Sequence, residues 1–331
     1  MTYCVAISTQ DGLVFCSDSR TNAGPDMLSS YSKMHIFQPG PDRVFCLLTA
    51  GNLATTQAIV ERINQDIEDG NPRNLLTCLK INEAAQYVTE VSRQEHALAH
   101  EATGGSGVDT SASILFGGQI QGGKHKIYLI YSAGNFISDS NETPFLQIGE
   151  SKYGKPILDR ILTRETTLED AARCAIVSMD STIRSNATVG APIEVLVYET
   201  SSFNTNHYVK LEADDHYLHD IKRAWDETLK AGFQGLPRFE WESRHQPSAS
   251  PVMDVAQGQP VVEAAPMAVI PVQQPFNNEP QQMVDNTQGG VPQQAAIQPP
   301  IPQQQPVIQP QVNVAPSPPP MMAPTDGSQP Q

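Results

Sequence analysis

Strand-like and helix-like stretches come in blocks along this sequence, and that ordering constrains the fold more than any other feature. The first 50 residues hold four strand-like runs, at 2–8, 13–17, 31–37 (Y-S-K-M-H-I-F) and 43–50 (R-V-F-C-L-L-T-A). In the first, Tyr3, Val5 and Ile7 alternate with Cys4, Ala6 and Ser8, the period of a half-buried strand. The period then changes. Asn52 is placed to cap a helix to about residue 69, with Ala54, Ala58, Val60 and Ile63 on one face, and a second helix spans 74–100. Strands follow at 111–116, 126–131 and 146–149, with Gly-rich turns between them. Helices come next at 152–163 and 167–185, the latter opening on the capping signal T-T-L-E-D. Strands at 192–198 and 207–211 and a helix at 215–231 close the series. A doubly wound parallel sheet needs strands and helices in alternation. The block order instead favours an α+β fold of two antiparallel sheets with paired helices outside.

Composition sets the limits of that fold. Of the 27 prolines, 19 lie from Pro247 onward, where there is no Lys or Arg. Such a stretch buries too little apolar surface to offset chain entropy, so 245–331 is expected to be a disordered Pro/Gln-rich tail and 1–244 the folded domain. The net charge of −15 argues against nucleic acid as a partner. Five cysteines (4, 16, 46, 78, 174) without C-x-x-C spacing suit reduced core thiols and a cytoplasmic location. M-T-Y-C lacks the features of a signal peptide, and no apolar run approaches the ~18 residues of a membrane span, so no membrane role is expected.

The chemistry centres on Thr2, S-D-S-R at 17–20 and S-K-M at 32–34. If Met1 is removed, the hydroxyl and the free amine sit together on Thr2. A threonine hydroxyl needs a base, and an α-amine, with a pKa of ~7.7–8.0, can act as one. A nearby ammonium favours the neutral amine, and Lys33 can supply it. A carboxylate at Asp18 can keep Lys33 charged and aimed. A three-residue hairpin loop at Gln10-Asp11-Gly12 would pair Thr2 with Arg20 and Cys4 with Asp18, placing Asp18 on the face of Thr2. A two-residue loop would turn Asp18 to the other face. An oxyanion donor is also needed, and the backbone N–H of Gly51, at a strand-to-helix junction, is a candidate.

Together, T-Y-C-V-A-I-S, D-G-L-V-F-C-S-D-S-R, S-K-M and L-L-T-A-G-N-L-A-T-T-Q resemble the N-terminal threonine hydrolases of the proteasome β-subunit type, and within them the bacterial Anbu group. The resemblance covers roughly 2–240. It implies a four-layer αββα sandwich of the N-terminal nucleophile hydrolase type. It also implies Thr2 as nucleophile and base, Asp18 and Lys33 as supporting charges, Gly51 as oxyanion donor, and Thr21 and Thr49 near the substrate. The family carries a serine in a G-S-G turn before the third helix. Here the turn reads I-G-E-S-K, so Glu150 or Ser151 stands in, with Ser151 the candidate. Where the family has Asp-x-x-Ser-Gly, the sequence is S-N-A-T-V-G, with Asn186 and Val189 at the two positions.

The expected activity is therefore that of a threonine peptidase or amidohydrolase on a peptide or amide substrate, with no metal or nucleotide cofactor. The alternatives are an assembly protein that keeps the fold with little catalysis, and a small-molecule amidase. A homo-oligomer is implied by the resemblance, and the stripe Ala84, Ala85, Val88, Val91 offers apolar surface for either a neighbour or the core. His96 and His100 in H-A-L-A-H have the i, i+4 spacing of zinc ligands, but without a third ligand a solvated or capping role is expected. G-G-S-G and G-G-K-H lack the K-[ST] of a phosphate loop and are expected to be turns.

Overall fold

A computed structural model describes residues 1–22, 28–104 and 107–243; the expected tail lies outside the described residues. The elements run β1 (Tyr3–Ser8), β2 (Gly12–Asp18), β3 (Arg20–Asn22), β4 (Leu28–Ser30), β5 (Met34–Gly40), β6 (Arg43–Gly51), α1 (Leu53–Glu68) and α2 (Ile81–Ala102). They continue as β7 (Ala112–Ile120), β8 (Lys126–Ile130), β9 (Phe136–Ser138), β10 (Phe145–Gly149), α3 (Ser151–Ile161), α4 (Leu168–Ser185), β11 (Ile193–Glu199), β12 (His207–Leu211), α5 (His216–Gln234) and α6 (Glu240–Ser243). One antiparallel sheet has the order β10-β1-β2-β11-β12 and the other β5-β6-β7-β8-β9. The fold is the αββα sandwich.

Three apolar layers hold it together. Cys4, Ala6, Phe15, Cys46, Leu48, Leu115 and Leu196 fill the space between the sheets. Tyr3, Val5, Ile7, Val14 and Cys16 face α3 and α4, while Phe45, Leu47 and Phe116 face α1 and α2. The first strand is therefore buried along its whole length. Its alternation reports large side chains toward the helices and small ones toward the other sheet, not one wet and one dry face. The stripe Ala84, Ala85, Val88, Val91 is spent in the chain's own core and is not a surface for a neighbour.

The short strands β3, β4 and β9 lie outside the expected runs, β5 runs Met34–Gly40 instead of 31–37, and two further boundaries differ for reasons the contacts show. Residues 74–80 form turns in which the Asn74 side chain accepts the N–H groups of Leu76 and Thr77, so α2 begins at Ile81. Strand β7 continues through Gly117 and Gly118, because a Cβ on Gly118 would lie 2.0 Å from the Val44 carbonyl and one on Gly117 would meet Phe15 and Ile127. These glycines permit close approach inside a sheet instead of ending it. All five cysteines are buried and free.

Candidate active site

The first hairpin closes through two residues, Gln10 and Asp11, with the N–H of Thr9 donating to the Gly12 carbonyl at 2.9 Å. The register pairs Cys4 with Ser17, not with Asp18. The three-residue loop is thus corrected, and with it the argument that strand alternation puts Asp18 on the face of Thr2. Asp18 is brought into place differently. At the end of β2 its Oδ1 accepts the backbone N–H of Tyr3 at 3.0 Å, and its Oδ2 accepts that of Gly190 at 3.2 Å. Asp18 is fully buried.

Lys33, just ahead of β5, reaches across from the second sheet. Its Nζ donates to Asp18 Oδ1 at 2.7 Å and to the Arg20 carbonyl at 2.8 Å. Burial pushes the Asp18 carboxyl above its ordinary range, while the Lys33 ammonium and the two backbone N–H groups pull it back down. Beside this pair opens a cavity of about 900 Å³, lined among others by Thr2, Thr21, Lys33, Thr49 and Gly51. Thr2 is half-buried, and Met1, 62% exposed, lies in the same cavity.

Backbone forms the remaining wall. Thr49 donates its N–H to the Lys33 carbonyl at 3.0 Å, fixing β6 against the start of β5. Gly51 follows with φ +117°, where a Cβ would lie 2.3 Å from the Ser111 carbonyl. Asn52 then caps α1 through the N–H of Thr55. Gly149 has φ +80°, and a Cβ there would stand 1.9 Å from the Thr2 carbonyl, which accepts the N–H of Glu150 at 2.8 Å.

Of the sequence candidates, Thr2, Lys33, Gly51, Thr21 and Thr49 line one cavity, with Asp18 buried behind Lys33. Ser151 begins α3 and is not among the lining residues, whereas Glu150 is. Asn186 accepts the N–H and hydroxyl of Thr188 within its own turn, and Val189 packs in the helix-side core. That segment serves the site through its backbone: Gly190 holds Asp18, and the Ala187 carbonyl accepts from Arg20 at 2.8 Å. His96 accepts the N–H of Ala112, the strand neighbour of Gly51, at 3.1 Å, and so ties α2 to the start of β7. Among the described residues no cluster of side chains suits a metal ion.

Sequence reasoning missed His35, Ser32 and Tyr31, which also line the cavity. The S-K-M-H run held the signal for the first two. Burial holds the His35 ring below the ordinary histidine value, against the pull of Glu194.

Comparison with known proteins agrees with this fold. The family model described as proteasome subunit matches residues 2–198. Anbu (ancestral beta-subunit) from Yersinia bercovieri is similar at 42% identity and TM-score 0.68, over 72% of this chain and 98% of that one. The helical assembly of the Anbu complex from Pseudomonas aeruginosa gives 44% identity and TM-score 0.67, over 75% and 99%. Anbu from Hyphomicrobium sp. strain MC1 gives 39% and 0.66, over 72% and 99%. No curated protein was matched. The chain belongs to the proteasome subunit family and is Anbu-like within it.

Proposed function

We propose that this chain is an N-terminal threonine hydrolase that cleaves a peptide or related amide after Met1 is removed. The observation that carries the proposal is the buried Lys33–Asp18 ion pair at 2.7 Å, beside a cavity that Thr2 and Gly51 also line. Loss of Met1 would leave an α-amine on Thr2 in that cavity. Lys33, an ammonium in the same cavity, favours the neutral amine and the developing oxyanion of the hydroxyl. Thr2 Oγ attacks the substrate carbonyl, and the amine takes the hydroxyl proton. The Gly51 N–H stabilises the oxygen that becomes negative. The amine then returns the proton to the leaving group, and water hydrolyses the resulting ester.

Self-association belongs to the same reading, supported by the helical assembly of the Pseudomonas aeruginosa relative. Five free, buried thiols support a reducing compartment such as the cytoplasm. We further propose that residues 245–331 are dispensable for folding, assembly and reaction at Thr2.

One set of observations favours the second reading, an assembly protein with little catalysis. Ser151 lies outside the cavity lining, and Val189 has no hydroxyl and packs in the core, so neither supplies a hydroxyl beside Thr2. Intact mass and labelling decide between the two. The hydrolase loses Met1 and forms a single adduct at Thr2 with a peptide epoxyketone, which needs both amine and hydroxyl, and Thr2→Ala abolishes it. A protein that retains Met1 and does not label is the assembly protein.

A further inference from the structure

We propose that Glu194 is a positioning residue that ties together the segments carrying Asp18 and Lys33, and so sets the geometry of their ion pair. The inference rests on the reading of Thr2 as the reacting group. Glu194 lies in β11, opposite Ser17 of β2, and is 3% exposed. A carboxylate at that depth requires donors, and three hydroxyls converge on it. Ser19 Oγ donates to Oε2 at 2.9 Å, and the Tyr208 hydroxyl donates to Oε1 at 2.6 Å. Ser32 Oγ lies 2.8 Å from Oε2 and 3.0 Å from Oε1. It also lies 2.8 Å from the Met34 carbonyl and accepts the Met34 N–H at 3.2 Å, so its one proton is shared between Glu194 and that carbonyl.

The identity of the serines matters. Ser19 directly follows Asp18, and Ser32 directly precedes Lys33. Asp18 ends β2 in one sheet, and Lys33 leads into β5 in the other. Ladder hydrogen bonds fix strands within a sheet, while apolar packing between sheets is not directional. Lys33 must nevertheless span that gap to within 2.7 Å of Asp18. A single buried carboxylate holding one serine from each side supplies the directional restraint. The Tyr208 bond comes from β12 and touches neither member of the pair. The three hydroxyls are therefore unequal. If Glu194 were only a satisfied core carboxylate, each bond would matter through stability alone.

The test uses the full chain with removal of Met1 checked by mass, and reads the rate of Thr2 labelling by a peptide epoxyketone between pH 6 and 9. Ser32→Ala and Glu194→Ala are expected to slow labelling about tenfold or more. They should also move the apparent pKa of the pH–rate profile upward, because a displaced Lys33 disfavours the protonated amine less. Glu194→Gln keeps one acceptor oxygen and recovers most of the rate, and Tyr208→Phe stays within about twofold of wild type. Ser32 is at the exposed edge of the cavity, so Ser32→Ala keeps the test valid if Glu194→Ala does not fold. Wild-type labelling and an unchanged profile in Ser32→Ala overturn the inference. So does a loss in Tyr208→Phe equal to that in Ser32→Ala. If the wild type itself does not label, the Thr2 reading fails, and crystal structures of wild type and Ser32→Ala decide the positioning. Lys33 Nζ leaving Asp18 in the variant upholds it, and an unchanged contact overturns it.

Discussion

Two walls of the cavity are built on different physics. One is the Asp18–Lys33 pair, whose side chains are almost wholly removed from water and whose charges compensate each other. The other is backbone: Gly51 against the Ser111 carbonyl and Gly149 against the Thr2 carbonyl, each with positive φ. The first wall does not tolerate the loss of one charge. The second carries no charge and tolerates no added atom. Each wall therefore has its own signature in mutation, and the two can be separated.

The largest effect is expected at the charged wall. Lys33→Met leaves Asp18 buried and unpaired, costing about 3–5 kcal/mol of stability and lowering Thr2 reactivity by about 10²–10⁴-fold. Lys33→Met combined with Asp18→Asn removes the orphan charge, so it should recover much of the stability and none of the reactivity. Urea unfolding and epoxyketone labelling of both variants measure this. A double variant as unstable as the single one would mean that charge is not what holds this wall.

A smaller effect, with a different character, is expected at the backbone wall. Gly149→Ala forces a Cβ to 1.9 Å from the Thr2 carbonyl at φ +80°. Gly122 has nearly the same φ, +79°, but nothing within 4 Å of where a Cβ would go. Gly122→Ala should cost only the conformational part, about 1 kcal/mol, whereas Gly149→Ala adds the displacement of Thr2 and slows labelling as well. Equal costs in the two variants would remove sterics from the account of this wall.

The same division explains what could be read from sequence. The block order and the strand runs fixed the two sheets, because hydrophobic period is a local property of the chain. Thr2, Asp18 and Lys33 could be read as candidates only as a set, through their order and spacing and the resemblance that these carry. The path by which Asp18 arrives was not legible. It depends on whether one hairpin has two loop residues or three, and on Gly190, far away in the chain, donating its N–H. Gly117 and Gly118 read as a turn because a glycine needed for close approach and one needed for a bend look alike in sequence. Glu194 was invisible for a related reason: a carboxylate in an apolar strand signals burial, but its partners Ser19, Ser32 and Tyr208 meet only after both sheets have formed.

The smallest effect sharpens the comparison through pH. His35 lines the cavity on the charged side, and burial holds its ring below the ordinary value of 6.5, with Glu194 opposing. Below pH 6.5 the unfolded chain takes up a proton at this position before the folded chain does. Stability from His35 is therefore complete above pH 6.5 and is lost as pH falls from there toward the depressed folded value, with a slope of at most about 1.4 kcal/mol per pH unit. His96, which burial also holds below the ordinary value, adds to the total, so the informative quantity is the difference between wild type and His35→Asn in urea unfolding at pH 7.5, 6.5 and 5.5. The variant should lose part of the acid-side slope, so its stability falls less than that of wild type between pH 6.5 and 5.5. Gly149→Ala leaves His35 in place, so its acid-side slope should match that of wild type. Parallel curves for wild type and His35→Asn would show that the ring is already solvated in the folded chain, and would remove His35 from the charged wall.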